Sequence, residues 1–482
     1  MNEMSGSARC GIVPPYLLQA LAAADGHAAA SAEHTLRRDV EHRSRREGRP
    51  TAASPTRAAG GTTTSPSATG PAPDDGSGPQ RVVGDAKGAE TLPGTTVRRE
   101  GEPATGDPAA DEAYDGLGQT WSLYSQAYDR DSLDGKGLPL LATVHYGNDY
   151  DNAFWDGTQM VFGDGDGEVF NRFTVSVDVI GHELTHGVTE LTAGLTYQGQ
   201  SGALNESVSD VFGSLVRQRA LGQSAEQADW LIGAGLFTAD IKGVALRSMK
   251  APGTAYDDPR LGKDPQPATM AGYVETTDDN GGVHTNSGIP NHAFYLAATA
   301  IGGNAWEAPG QIWFDTLTGD GIAADCDFAT FARLTVAAAT TRYGAGSSQA
   351  TAVEQAWAEV GVAVTAGQGP AVPSPTVPSP TVPSPAPAPA ELVQVRRTGG
   401  LAGMRQARTV ALSELPEPDA SQWRSLLAED GLHALAASPG GRTIPDAFTY
   451  HVACPPDGDE VTLPEHGIPD PVRELFRRTL GD

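Results

Sequence analysis

Two histidines and a scatter of acids stand at spacings that suit a hydrolytic metal centre. His182, Glu183 and His186 form the run HELTH. On an α-helix, positions i and i+4 share a face about one turn apart, so both imidazoles can converge on one ion. Glu183 lies about 100° round the helix from His182, where it can face a water instead of coordinating, and it is the expected general base. Catalytic zinc takes three protein ligands and leaves a fourth position to water or substrate. The extended pattern HExxHxxGxxH does not supply the third, because Thr189 stands at its glycine and Thr192 at its last histidine. A carboxylate from a later helix is needed, and Glu206 in the run GALNESVSD provides one. Asp210, at i+4 from Glu206, can reach the far nitrogen of a zinc-bound imidazole, His182 by preference, and hold its tautomer. Standing alone it would be an ordinary solvated helix acid. One catalytic Zn²⁺ is the implied cofactor.

These residues need helices to carry them. Val177, Ile180, Leu184, Val188 and Leu191 recur at helical spacing from Ser176 onward. Leu204, Val208, Val211, Phe212 and Leu215 predict a second helix over about 202–219, and NHAFYLAATAIGG a third, closed by glycines. Before them the chain reads as strands and turns: LPLLATVHYG is an apolar strand, and TQMVFGDGDGEVF a strand, a Gly/Asp turn and another strand. Strands first and helices later predict an α+β fold of two lobes, β-rich then helical, with the metal cleft between them.

Composition divides the 482 residues into five pieces: 1–50, with an apolar patch followed by a basic stretch; a linker over 51–80, rich in Ala, Thr, Ser, Pro and Gly; a globular domain over 81–365; a spacer over 366–390 repeating Val-Pro-Ser-Pro; and a second globular piece over 391–482. Lys and Arg number 33 against 60 Asp and Glu, a net charge of −27. Such acidity argues against a nucleic-acid partner. No apolar run is long enough to span a bilayer. Cys10, Cys326 and Cys454 form neither a CxxC pattern nor a disulfide framework.

The stretches NAFWDGTQMVFGDGDG, DVIGHELTHGVTELTAGLTYQGQSGALNESVSDVFG, LRSM and DNGGVHTNSGIPNHAFY resemble the thermolysin family of neutral metallopeptidases, and within it the protealysin-like branch. The resemblance implies a zinc metalloendopeptidase that cuts before large apolar residues of protein or peptide substrates. It implies that His284 stabilises the transition state with Asp279 orienting it, that Tyr197 is its partner at the oxyanion, and that Asn152, Ala153 and Arg247 hold the substrate backbone. Taken singly, His284 could be a loop histidine, Tyr197 a core aromatic and Arg247 a surface charge; their joint occurrence carries the reading. Phe170, Phe173, Val179, Ile232 and Leu246 are candidates for the specificity pocket and read equally well as core. His292 is read as structural. Calcium-binding relatives carry glutamates where this chain has Arg217, Leu231 and Ala234, so calcium is doubtful. Arg217 is expected to replace the ion by pairing with Asp178 or Asp229, because an arginine at the centre is incompatible with a hard cation.

The start, CGIVPPYLL, resembles the propeptide of protealysin-like precursors, so residues 1–50 are expected to cover the active site until cleaved. Cys10 is expected to be inert there, not a zinc latch. The C-terminal piece predicts a small α+β unit: a hairpin from VQVRRTGG and ARTVALSEL, a helix over SQWRSLLAEDGLHALAA, strands in DAFTYHV and EVTL, and a last helix in PVRELFRRTL. It resembles emfourin, a proteinaceous inhibitor of protealysin-like enzymes, which implies self-inhibition; an accessory binding module is the alternative. A catalytically silent peptide-binding relative is the rival for the whole chain, but Glu183 and the ligands are all in place. No Sec signal is read at the N-terminus. The resemblance implies secretion by a signal-less route, with a cytoplasmic location as the alternative.

Overall fold

A computed structural model describes residues 11–47, 78–364, 392–399, 404–412, 415, 417–427, 448–453, 461–465, 468 and 470–480. Cys10, Cys454, the spacer over 366–390 and all but the last residues of the first linker lie outside them. The chain divides into two compact units, Met1–Val372 and Pro373–Asp482.

In the first unit, α1 (Pro15–Ala22) and α2 (His27–Glu47) precede a five-stranded sheet. Its strands are β1 (Arg81–Asp85), β2 (Thr95–Arg99), β3 (Leu140–Val144), β4 (Ala153–Trp155) and β5 (Met160–Phe162), in the order β2-β1-β3-β5-β4. The β1/β3 and β3/β5 pairs are parallel, and both outer pairs are antiparallel. β4 is therefore an edge strand, with one side of its backbone available for another chain segment.

Two readings of this lobe change. Helix α3 (Pro108–Tyr128) crosses a region expected to be strands and turns. Gly116 and Gly118 weaken its helical signal, yet Gly116 is required: a Cβ there would lie 2.4 Å from Ile180 Cδ1, so α3 and the helix that carries Ile180 could not approach. The second strand expected after the Gly/Asp turn does not form. The Asp166 carboxylate accepts the N–H groups of Glu168, Val169 and Phe170, which bends the chain into a loop.

The helical lobe contains α4 (Val177–Glu190), α5 (Gly199–Leu221), α6 (Asp279–Asn286), α7 (Gly288–Ile301), α8 (Ala308–Thr318), α9 (Phe328–Tyr343) and α10 (Ser348–Glu359). Short two-stranded pairings link α5 to α6, among them β6 (Leu231–Ile232) with β7 (Arg247–Ser248). One core joins both lobes, from Val83 and Leu140 through Leu184 and Leu215 to the stacked Trp313 and Trp357. The candidate pocket residues Phe170, Phe173, Val179, Ile232 and Leu246 are all buried in it. His292 donates to or accepts from no site residue; its ring meets the Met249 carbonyl oxygen and Tyr295.

The second unit has the expected elements. A sheet ordered β9-β8-β10-β11 comprises β8 (Leu392–Gly399), β9 (Met404–Ala411), β10 (Thr449–Ala453) and β11 (Val461–Pro464), all antiparallel. α11 (Glu417–Leu427) and α12 (Asp470–Leu480) bring Trp423, Leu475 and Phe476 against Val393, Val395, Tyr450 and Val452. The part of the expected helix beyond Leu427 lies outside the described residues.

Helices α4 and α5 pack at backbone distance because α5 has Gly213 at the crossing. A Cβ there would lie 2.4 Å from Asp178 O and 3.0 Å from His182 N. Gly213→Ala is expected to cost about 1–3 kcal/mol through forced separation and to lower zinc occupancy with it. Thermal melting and zinc content of the purified variant check both; a stable variant with full zinc would contradict the packing argument.

Candidate metal centre

α4 and α5 bring His182, His186 and Glu206 together, and all three are buried or nearly so. His182 Nδ1 is 2.8 Å from Asp210 Oδ1, and His186 Nδ1 is 2.7 Å from Asn205 Oδ1. Each Nδ1 must carry the proton to make these bonds, which assigns the tautomer and leaves a lone pair on each Nε2. The two Nε2 atoms then face each other at 3.0 Å, with Glu206 oxygens 3.6 and 3.4 Å away. Two lone pairs and a carboxylate so close repel unless a cation lies among them. Ligands held at roughly 2.0–2.1 Å from a tetrahedral zinc are separated by about 3.3 Å, so the donor set fits this ion. Glu206 Oε2 and Glu183 Oε1 are buried with no hydrogen-bond partner among the described residues, as expected of atoms aimed at an ion and a water.

Glu183 is anchored through its other oxygen, which accepts the Trp155 N–H at 3.0 Å. Burial, then the charge of Glu206, raises its pKa. Burial lowers the pKa of His186 to about 4, which keeps it a neutral ligand. Glu206 lies against burial's tendency: the surrounding imidazoles hold its carboxyl well below the usual range.

On the other wall, His284 Nδ1 lies 2.7 Å from Asp279 Oδ1, and its backbone N–H reaches Asp279 Oδ2 at 3.0 Å. Burial opposes charge on His284, yet Asp279 and Glu206 raise its pKa. Asp279 and Asn280 have φ of 50° and 51°, a left-handed turn that non-glycine residues rarely adopt and that swings Asp279 back onto the imidazole. Tyr197 OH donates to Glu206 Oε1 at 2.5 Å and sits 3.3 Å from His284 Nε2. Arg247 is fully buried and forks onto Asp210 at 2.9 and 2.8 Å. His182, Glu183, His186, Tyr197, Glu206, Asp210, Arg247, Asp279 and His284 are thus linked in one cluster, which Trp155 of β4 joins through Glu183.

Three further contacts were not foreseen. Asn205 orients His186, Asn291 Nδ2 donates to Asp210 Oδ2 at 2.8 Å, and Gln266 Nε2 holds the His284 carbonyl oxygen at 2.8 Å. Asn205 alone had a signal, since it precedes Glu206 on the same helix; Gln266 and Asn291 meet their partners only in space.

A metallopeptidase is the class that this fold and site define. Residues 77–190 match the model of the thermolysin metallopeptidase catalytic domain, 193–362 that of its α-helical domain, and 395–480 that of emfourin. An extracellular metalloprotease of Pectobacterium carotovorum subsp. carotovorum is 58% identical over 284 residues, covering 59% of this chain and 81% of that protein. Protease PrtS of Photorhabdus is 55% identical over 286 residues, covering 59% and 76%. A solved structure, the precursor of protealysin from Serratia proteamaculans, aligns with TM-score 0.64 and 52% identity over 73% of this chain and 100% of that one. The chain belongs to the thermolysin family and is a metalloendopeptidase with a protealysin-like fold and an emfourin domain.

The region expected to hold calcium in relatives contains a fixed cation instead. Arg217 forks onto Asp229 at 3.0 and 2.8 Å and approaches the buried Asp178 at 3.6 Å. A guanidinium between two carboxylates engages the oxygens that a calcium ion there would need. The melting temperature in millimolar calcium is therefore expected to equal that with a calcium-selective chelator. A rise with calcium would contradict this substitution of ion by side chain.

Proposed function

We propose that the chain is the precursor of a zinc endopeptidase that cuts before large apolar residues and is held silent by residues 11–47. The observation that carries this is the path of Ile12. Its N–H donates to Ala153 O at 3.1 Å, its carbonyl accepts from Arg247 Nη1 at 3.1 Å, and the next N–H, of Val13, reaches Asn152 Oδ1 at 3.0 Å. Gly11 adds an antiparallel bridge to Phe154 on edge strand β4. These are the groups proposed to hold a substrate backbone, so the segment occupies the cleft as an added strand, with the Ile12 side chain fully buried.

His182, His186 and Glu206 would hold the zinc. When bound, it polarises the scissile carbonyl and acidifies a water. Glu183, fixed by Trp155, accepts a proton in the cleft and returns it to the leaving amine. His284, oriented by Asp279, and Tyr197 donate hydrogen bonds where negative charge develops. Arg247 and Asn152 align the peptide, and Asp210 steadies both His182 and Arg247. Processing in the linker over 51–80, secretion in the manner that relatives' names indicate, and inhibition by the C-terminal domain complete the reading. A tethered inhibitor acts at high effective concentration without needing high intrinsic affinity.

Glu183→Gln is expected to bind zinc stoichiometrically while kcat/KM on an unstructured protein substrate falls by about 10²–10⁴-fold, the weight of a positioned base. Near wild-type turnover would remove Glu183 from that role. For the C-terminal unit, a chain ending before residue 391 is expected to show higher initial peptidase activity than the full chain after both have been processed. Equal activities would favour an accessory binding module.

A further inference from the structure

Behind the strand that fills the cleft, α2 lies on the loops that carry Asp149–Asn152 and Asp166–Glu168. Asp151 is fully buried there. Its Oδ2 accepts the Ser31 hydroxyl at 2.6 Å, and its N–H donates to Thr35 Oγ1 at 3.0 Å. Among the described residues its Oδ1 has no hydrogen-bond partner, and neither does the buried Oδ2 of Asp166. The charged groups around it are almost all acidic: Asp149 and Asp166 act on it directly, and Glu168 stands beside them. The cations come from α2 and are aimed elsewhere. His27 pairs with Asp149 at 3.0 Å and lies 3.6 Å from Glu168; His34 and Arg38 both pair with Glu90. Asp39, further along α2, takes the Tyr150 hydroxyl at 2.6 Å and Asn152 Nδ2 at 3.0 Å, and so orients the amide that holds Val13. α2 therefore supports the strand in the cleft, and what loosens α2 loosens the block.

A carboxylate with few donors and acidic neighbours is costlier in a buried place than a carboxyl group. Resting on the reading of residues 11–47 as a prosegment, we propose that α2 is a proton-linked latch: it docks with Asp151 in its acid form, releases that proton when it lifts away, and holds the His27 proton more tightly while docked. Burial first, then Asp166, pushes the Asp151 carboxyl up to about 8, with Ser31 and the Asp166 N–H countering in part. The His27 pKa is raised by its hydrogen bond to Asp149.

The sign follows from linkage. Lifting α2 removes Ser31 and Thr35 and wets Asp151, returning its pKa to about 4. Docking is then strongest below that value, weakens about tenfold per pH unit for the one proton involved, and levels off near pH 8. His27 adds in the same direction: its contribution is complete below pH 6.5 and is lost as pH rises through its docked value. Neutral and alkaline surroundings favour release, and acid favours the closed precursor.

The test is hydrogen exchange of the amides in α1 and α2, in the full-length chain with Glu183→Gln so that it does not process itself. Opening constants are corrected for the intrinsic pH dependence of amide exchange. The wild-type interface is expected to open about 100-fold more readily at pH 7.5 than at pH 5.5, and Asp151→Asn, which imitates the protonated acid, to lose most of that slope. Asp166→Asn is a second variant that keeps an oxygen for the 168–170 amides; it should move the levelling-off to lower pH. An opening constant that is flat in the parent chain, or an undiminished slope in Asp151→Asn, overturns the latch. Intact mass of the self-processing chain reads the prosegment assignment separately. Loss of the residues before Arg81 supports it, and retention of them beside a pH-dependent α2 overturns the maturation role alone.

Discussion

Asp210 is a fully buried carboxylate shared by three donors, and most of the active cleft is aligned through it. One oxygen takes the Nδ1 proton of His182 and one nitrogen of Arg247; the other takes a second Arg247 nitrogen and Asn291. A buried charge is tolerable only when it is so completely paired, and the pairing has two consequences. It sets the His182 tautomer, which points the Nε2 lone pair at the metal position. It also holds Arg247 stiffly enough for its remaining nitrogen to reach a backbone carbonyl in the cleft. The His182 imidazole and the Arg247 guanidinium are thus both fixed by one buried side chain.

The edge of the β-lobe supplies the other half of the site. Ala153 offers its carbonyl, Asn152 its amide and Trp155 its N–H to Glu183. An unpaired edge is a hazard for most proteins; here its open backbone groups are the means of holding an extended chain. The same property admits the protein's own N-terminal segment, which pairs with the edge at Ala153 and Phe154.

Much of this was legible along the chain. HELTH and the later NESVSD run name the ligands because zinc chemistry demands particular residue types and helical geometry puts i and i+4 on one face. The periodic apolar residues placed α4 and α5 within a few residues of their observed ends. Helix α3 was hidden because its glycines, Gly116 against Ile180 and Gly118 against Arg81, serve packing and so depress a local signal. The turn after Gly165 read as a hairpin because the Asp166 side chain, not a partner strand, satisfies the next three amides.

The sequence by itself determined the donor set and the position for a base, since both follow from residue type and helical spacing, while the prosegment-like start and the small C-terminal domain were read from family resemblance. Tertiary structure alone decided that Ile12 lies on Ala153, that Gln266 and Asn291 reach His284 and Asp210, and that Asp151 is sealed beneath α2. Those contacts join residues far apart in the chain. Their distances depend on how close whole helices and strands can approach, a property of packed surfaces that no local pattern encodes.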